Sequence, residues 1–474
     1  MTFDLPPELW LDVFKSLPRS ALTDVHAVSS QFSELSRPLL FSDFIFFPPH
    51  AYDERLERDE RELARLTFWS SPKIAPYVRR CVVNLNGVQE SVLMDPRTPS
   101  LIRTGLEAVA RSTNLAALAR RVVKLTVFGE SVDSRWRSLP LVWACFEAVS
   151  RFTNLEKLRC HTCRTLGVEL PALRVHDLPS LKSLHIGTAH LLPSVMSPPI
   201  KIRIEHFTHT EMPFPEPGRR SQMLSLDPSM LRRVDLASDA MFAVQHFLED
   251  THAQTSFRNL QVVNITVFET TFAELHASIA PFPAIHELGV KIRRRSLELG
   301  DLPSPLTPIA PHLSKFQGPA DLLPLVLVGS APHTLHISRG PALELLRGLH
   351  SSGRTTIDSV MSLVITTQYP DIAEGSILSD SLAFFPALEE LRVVVHSGPY
   401  CAVAPITREA LCAHIATTLR PFNALREVVF DWGLKLDDPS ENVPPLPMLD
   451  GALRQAITGF ESVKYERFNP WRKH

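Results

Sequence analysis

Glycine is scarce in this chain, with 18 residues in 474, whereas proline is abundant at 40. Proline fixes φ and cannot donate to a helix or sheet ladder. The imbalance therefore predicts many short elements joined by rigid turns, rather than a few long helices. Cysteine is also rare: six residues, unevenly spaced, make no disulfide framework and fit a reducing intracellular compartment. An excess of charge of one sign is missing. The chain has 49 basic and 51 acidic residues and a net charge of −2, so no overall basic field exists for nucleic acid or anionic lipid. Long apolar runs are absent too. The most apolar stretch, residues 322–328, is interrupted by Pro324 and is far too short to span a bilayer. The N-terminus carries Asp4 and Glu8 without a basic start followed by an apolar run, which is not the pattern of a secretory signal. These absences predict a soluble protein of the cytoplasm or nucleus, with no nucleic-acid and no membrane partner.

What is present is a core-forming body with an internal repeat. Hydrophobic residues make up 44% of the chain, enough for a sizeable core. From about residue 75 onward one phrase returns: apolar, two residues, apolar, one residue, apolar. It reads Val78, Cys81, Val83, then Val122, Leu125, Val127, then Leu155, Leu158, Cys160, then Leu181, Leu184, Ile186. Further copies are centred on Val234, Val263, Leu288, Leu363, Leu391 and Val428. A second phrase introduces several of them, as in Phe257-Arg-Asn-Leu260, Phe385-Pro-Ala-Leu388 and Phe422-Asn-Ala-Leu425. Where copies run cleanly (Leu158 to Leu184, Val234 to Val263, Val263 to Leu288) the middle residues are 25 to 29 apart. A fixed period of this size marks stacked repeats. The phrase is a short strand whose alternate residues face a core. Segments 143–150, 241–249, 272–279 and 408–419 are apolar at helical spacing, so each unit reads as strand, loop, helix. Residues 200–210 and 313–340 fit the phrase poorly and are expected as longer loops. The C-terminal stretch from Gly451 through Phe460, Val463 and Tyr465 to the basic Arg472-Lys473 reads either as a last repeat or as a tail. This body resembles a leucine-rich-repeat horseshoe of irregular type, lacking the usual Asn after the third apolar position. A single α/β domain with a parallel sheet is the alternative architecture.

Ahead of the body, residues 5–41 form a run of three short helices. Pro6 and Pro7 suit a helix start. Leu9, Trp10, Val13, Phe14 and Leu17 recur at spacings of three and four, the pattern of one apolar helix face. Pro18 ends that helix, Ser20 is placed to cap a second with Leu22 and Val25, and a third carries Phe32 and Leu35 until Pro38. Helices this short are poor at standing alone and offer more apolar surface than they can cover among themselves. Leu5-Pro6 with Glu8, the helix ending in Leu17-Pro18, then Leu22, Val28-Ser29, Phe32 and Leu35 resemble an F-box of the fungal type. Phe32 stands where that family usually has Trp, and Ser30 and Gln31 stand where it has basic residues. The resemblance implies docking to a Skp-type adaptor, and through it to a cullin ubiquitin-ligase complex, by Leu5, Pro6, Leu9, Val13, Leu17, Leu22, Val28 and Phe32. The competing reading is a helical cap on the repeat body, since stacked repeats need capped ends.

The expected fold class is thus α/β. Residues 1–48 are F-box-like helices, 49–71 a charged linker helix laced by i,i+4 pairs, and 72–474 an irregular leucine-rich-repeat-like solenoid. On the solvent side of the early strands the phrase places Lys124, Lys157, Arg159, His161, His185 and Arg233, a basic-leaning set suited to an acidic or phosphorylated segment of a client protein. The late copies offer Glu390, Arg392, Glu427 and Asp431, a more acidic set. Cys160-His-Thr-Cys163 lacks the second pair that a zinc site requires, and His206 and His209 form an H-x-x-H without a metalloprotease acid. There is no G-x-S-x-G, G-x-G-x-x-G or P-loop. No cofactor is expected. The functional expectation is a non-catalytic substrate receptor of a ubiquitin ligase. The alternatives are an interaction scaffold unrelated to ubiquitin and an enzyme of unrecognised type.

Overall fold

The computed structural model describes residues 6–46, 64, 68–69, 71–84, 124–129, 153–162, 178–186, 202–209, 226–236, 257–267, 275–276, 279–280, 282, 284–292, 310–338, 342–368, 372, 376–396, 407–432 and 444–466. Contacts divide the chain into two units, whose described parts run to Leu231 and from Arg232 onward. The linker helix expected over 49–71 lies outside the described residues, except that Ala64, Phe68 and Trp69 are helical. The helices expected at 143–150 and 241–249 also lie outside them.

The first unit opens with α1 (Pro7–Ser16), α2 (Arg19–Val28) and α3 (Ser30–Leu40). Strands β1 (Asp43–Phe46), β2 (Arg80–Asn84), β3 (Lys124–Gly129), β4 (Lys157–Thr162), β5 (Ser183–Ile186) and β6 (His206–His209) follow. Each pairs in parallel with the next. The middle apolar residues of the phrase fall on one register line: Phe44, Cys81, Leu125, Leu158, Leu184, Phe207. The sheet thus begins at Asp43, directly after α3, ahead of the first copy of the phrase recognised in the sequence.

The second unit holds β7 (Arg233–Leu236), β8 (Val262–Val267), β9 (Glu287–Ile292), β10 (Lys315–Gly318), β11 (Thr334–Ile337), β12 (Ser362–Gln368), β13 (Glu390–His396), β14 (Glu427–Asp431) and β15 (Ser462–Tyr465). These too are parallel and in chain order. From β10 onward each connection contains a helix: α4 (Leu323–Leu327), α5 (Ala342–Ser351), α6 (Ser376–Leu382), α7 (Arg408–Leu419) and α8 (Leu446–Ala456). Within each unit the order never reverses, which is the order of stacked repeats rather than of a doubly wound sheet. No helix among the described residues is long and apolar enough to cross a membrane.

The two sequence phrases have separate jobs. In Phe-x-x-Leu the leucine N–H donates back to the phenylalanine carbonyl, as in Leu260 to Phe257 (3.2 Å), Leu388 to Phe385 (3.2 Å) and Leu425 to Phe422 (3.1 Å). Both side chains of each pair are buried, so the phrase is a tight turn pinned from inside. At the residue directly after the leucine position, one carbonyl accepts two N–H groups from the next repeat. Glu156 accepts from Lys182 and Ser183, Gln261 from His286 and Glu287, His333 from Met361 and Ser362, and Met361 from Glu389 and Glu390. Each strand is therefore started by the turn before the previous one. The middle leucines Leu158, Leu184, Leu335 and Leu363 are fully buried, each contributing about 1.5–3 kcal/mol of burial.

Residues 200–210 and 313–340, expected as loops, contain β6, β10 and β11. Each breaks the phrase at one position. In β6 the third position is His209, in β10 it is Gly318, and before β11 the first is Pro332. At β10 the ring of Phe316 lies where a Cβ on Gly318 would go, so one large side chain fills two positions. The C-terminal phrase Phe460, Val463, Tyr465 forms β15 and is a last strand of the sheet. In the N-terminal segment α2 starts from Pro18 and not from a Ser20 cap, and α3 continues through Pro38 to Leu40.

Two helical glycines make opposite predictions. Gly348 in α5 sits against the Ala320 carbonyl, and a Cβ would overlap this backbone atom. Gly451 in α8 has open space around it. We expect Gly348→Ala to lower the unfolding free energy by about 1–3 kcal/mol through overpacking. Gly451→Ala should raise it by about 0.5–1 kcal/mol through helix propensity. Urea unfolding midpoints of the full chain check both signs.

Candidate functional site

Two surfaces carry the residues singled out from the sequence. The first is the N-terminal helix trio. Phe14, Leu22 and Leu40 form its core, with Trp10, Leu17, Val25, Phe32, Leu35, Leu39 and Phe41 packed around them. The rings of Trp10 and Phe32 lie 4.8 Å apart, and Phe14 meets Phe32 edge-on at 5.3 Å. Polar contacts fix the layout. Ser29 Oγ accepts from the Phe32 N–H (3.1 Å) and caps α3. Arg19 donates to the Leu40 carbonyl (3.0 Å), and His26 Nδ1 lies 2.9 Å from Ser36 Oγ.

The apolar residues of α1 do not share one face. Trp10, Phe14 and Leu17 point inward, whereas Leu9 and Val13 are 49% and 44% exposed. Spaced i,i+4, these two lie one above the other on a solvent-facing side. Val28 at the end of α2 is 68% exposed. Of the eight positions expected to meet an adaptor, Pro6, Leu9, Val13 and Val28 are exposed, Leu17 and Phe32 are half-buried, and Leu22 is a core residue. Leu5 lies outside the described residues.

The second surface is the solvent side of the strands. In the first unit, Arg80, Lys124, Lys157 and Ser183 are successive register partners, and Thr126, Arg159, His185 and Thr208 form the neighbouring row. Lys157 and Arg159 are exposed, on the face opposite buried Leu158. His161 is on β4, in register with Phe128 of β3. His185, expected on the open face, is instead only 7% exposed, in register between Arg159 and Thr208 of the same row. Arg233 does not join this group. It belongs to the second unit, and its guanidinium is held 3.1 Å from Asp235. Arg80 was missed in the sequence, although it precedes Cys81 as Lys157 precedes Leu158; it pairs with Asp43 at 2.6 Å.

In the second unit the charged strand positions neutralise one another across the ladder. Lys315 pairs with Glu287 (3.4 Å), Arg392 with Glu466 (2.7 Å) and Lys464 with Glu427 (2.9 Å). The acidic character expected for the late copies is therefore largely balanced in place, and Asp431 is buried. Among the described residues no three His, Cys, Asp or Glu side chains come together in a metal-binding group. His206 and His209 are three apart on a strand and so project to opposite faces.

No family model matches the chain, and no curated protein matches it. Among solved structures it is similar to a chain of the mouse RP105/MD-1 complex, at 12% identity over 83% of this chain, with a TM-score of 0.33. It is similar also to a chain of the TLR13–ssRNA13 complex, at 12% identity over 83% of this chain, with a TM-score of 0.30. The matched region spans 56% and 62% of those two chains. Scores this low leave the fold description to the geometry above.

One titration follows from the paired strand face. His336 titrates at about 4, against an ordinary 6.5, because burial disfavours the charged ring and Lys315 and Arg392 add repulsion. The unfolded chain binds this proton more tightly, so the stabilising contribution is present above pH 6.5 and is lost as pH falls towards 4. We expect His336→Gln to remove up to about 3 kcal/mol of the stability difference between pH 7 and pH 4. Urea unfolding of parent and variant at the two pH values measures it.

Proposed function

We propose that this chain is the substrate receptor of a Skp–cullin–F-box ubiquitin ligase. The N-terminal helices dock a Skp-type adaptor, and the repeat units hold a client protein. Ubiquitin transfer belongs to other subunits, and this chain contributes proximity between client and transfer machinery. A cytoplasmic or nuclear location accompanies this reading. The observation that carries it is the solvent-facing Leu9, Val13 and Val28 on a helix trio that already has a core of its own. Apolar side chains left outside a completed core are surface that a partner would cover. The F-box resemblance of residues 5–41 supplies the identity of that partner.

The alternative is a repeat-type interaction scaffold whose first helices only cap the body. It is favoured by the contact of Phe41, at the end of α3, with Trp69 (5.6 Å), which in turn packs on Phe44 of β1 (5.2 Å). Capping and adaptor docking use different sides of the trio, so the two roles are separable. Capture of the full chain by a purified Skp-type adaptor decides between them. The parent should bind. The triple variant Leu9→Asp, Val13→Asp, Val28→Asp should lose at least about tenfold in affinity. Because these are surface changes, each should alter the unfolding free energy by no more than about 0.5 kcal/mol. No capture by the parent, or full capture by a folded triple variant, overturns the receptor reading.

A further inference from the structure

We infer that the solvent side of β3 and β4 in the first unit binds an extended, carboxylate-rich segment of another protein. This rests on the reading of the repeat units as a client-binding surface and is independent of adaptor docking. The observation is an imbalance of charge between the two units. Arg233, Lys315, Arg392 and Lys464 on the strands of the second unit each face a carboxylate within 3.4 Å. In the first unit Lys157 and Arg159 have no carboxylate within ion-pair reach among the described residues, and both are exposed. Lys124 holds the register position beside Lys157, and Arg80 the one beyond it. The one carboxylate on this row among the described residues, Asp43, is taken by Arg80.

Like charges side by side in a ladder oppose folding. A neutral residue at either position would relieve the repulsion without disturbing Leu158 beneath. The arrangement gains in return one row of cationic positions, Arg80, Lys124 and Lys157, spaced by the strand separation of about 4.8 Å, with Arg159 in the neighbouring row. An extended chain laid across the strands repeats its side chains on one side at about 6.6–6.8 Å. Acidic side chains of such a segment can therefore reach successive cations. Arg159 adds a planar fork that donates two hydrogen bonds to a single carboxylate. The set is confined to neighbouring strands, which suits a short segment more than a long polyanion, whose phosphates need a continuous basic track.

The test uses the full chain and a fluorescent Glu-rich peptide, with a Lys-rich peptide, single-stranded RNA and phosphatidylserine vesicles as comparisons. The parent should bind the Glu-rich peptide, more weakly as salt rises, and should not bind the Lys-rich one. The pair Lys157→Glu, Arg159→Glu should weaken binding about tenfold or more, and Lys157→Gln, Arg159→Gln should weaken it less. The control Lys315→Gln, Lys464→Gln in the second unit should leave it unchanged. A melting midpoint at or above the parent's in the Gln pair separates lost binding from lost folding. Undiminished peptide binding by the Glu pair, equal loss in the control, or tighter binding of RNA or vesicles than of the peptide overturns the inference. Adaptor capture is measured separately, so its failure leaves the peptide result standing.

Discussion

One hydrogen-bond arrangement underlies everything else in this protein. A single turn carbonyl receives two N–H groups from the start of the following strand, and this recurs from Ser42 near the N-terminus to Arg426 near the end. It locks each strand parallel to its predecessor and at the same height. Within each unit the middle residues of the described strands then fall on one line, and the residues on either side alternate between core and solvent. Both the buried ladder and the rows of surface charge are consequences of that register. A slip of one residue would exchange the two, burying Lys157 and Arg159 and exposing Leu158.

The same constraint explains how the chain tolerates so irregular a sequence. Because each strand is held by backbone groups of its neighbour, a copy can lack one apolar residue and still be placed. Phe316 covers Gly318 at β10, and Pro332 is buried ahead of β11. Proline is useful in this setting. It marks the turns and helix starts, as at α4 and α8, where a missing N–H costs nothing. The body can vary its loops and faces while the ladder persists, as an architecture of stacked units allows.

Much of this was legible beforehand, and the exceptions have physical causes. The strands at Leu158, Leu184, Val263, Leu391 and Val428 could be read because three apolar residues at fixed spacing leave little choice of face. β6, β10 and β11 could not, because His209, Gly318 and Pro332 break the pattern, and at β10 the missing side chain is supplied by the ring of Phe316 on the same strand. The N-terminal trio was legible as helices, yet its faces were not. Leu9, Trp10, Val13 and Phe14 satisfy one helical spacing rule together, and the aromatic pair takes the core because Phe32 from α3 completes a three-ring cluster. His185 reads as a surface residue from its place between inward positions, yet it is buried, in register between Arg159 and Thr208.

By itself, then, the sequence determined the local grammar: a turn with two buried ends, a strand with alternate apolar residues, a helix trio with surplus apolar surface, and cations at solvent positions of early strands. Periodicity and proline placement are short-range properties, so they survive in a linear reading. Only the tertiary structure decided which apolar residues of α1 stay outside and which charges find a counter-ion. Those outcomes depend on residues some 20 to 75 positions apart, such as Lys315 with Glu287 or Arg392 with Glu466, brought together by parallel register. Lys157 and Arg159 are distinguished from Lys315 and Lys464 by nothing in their own sequence surroundings, and by everything in what the adjacent strand places beside them.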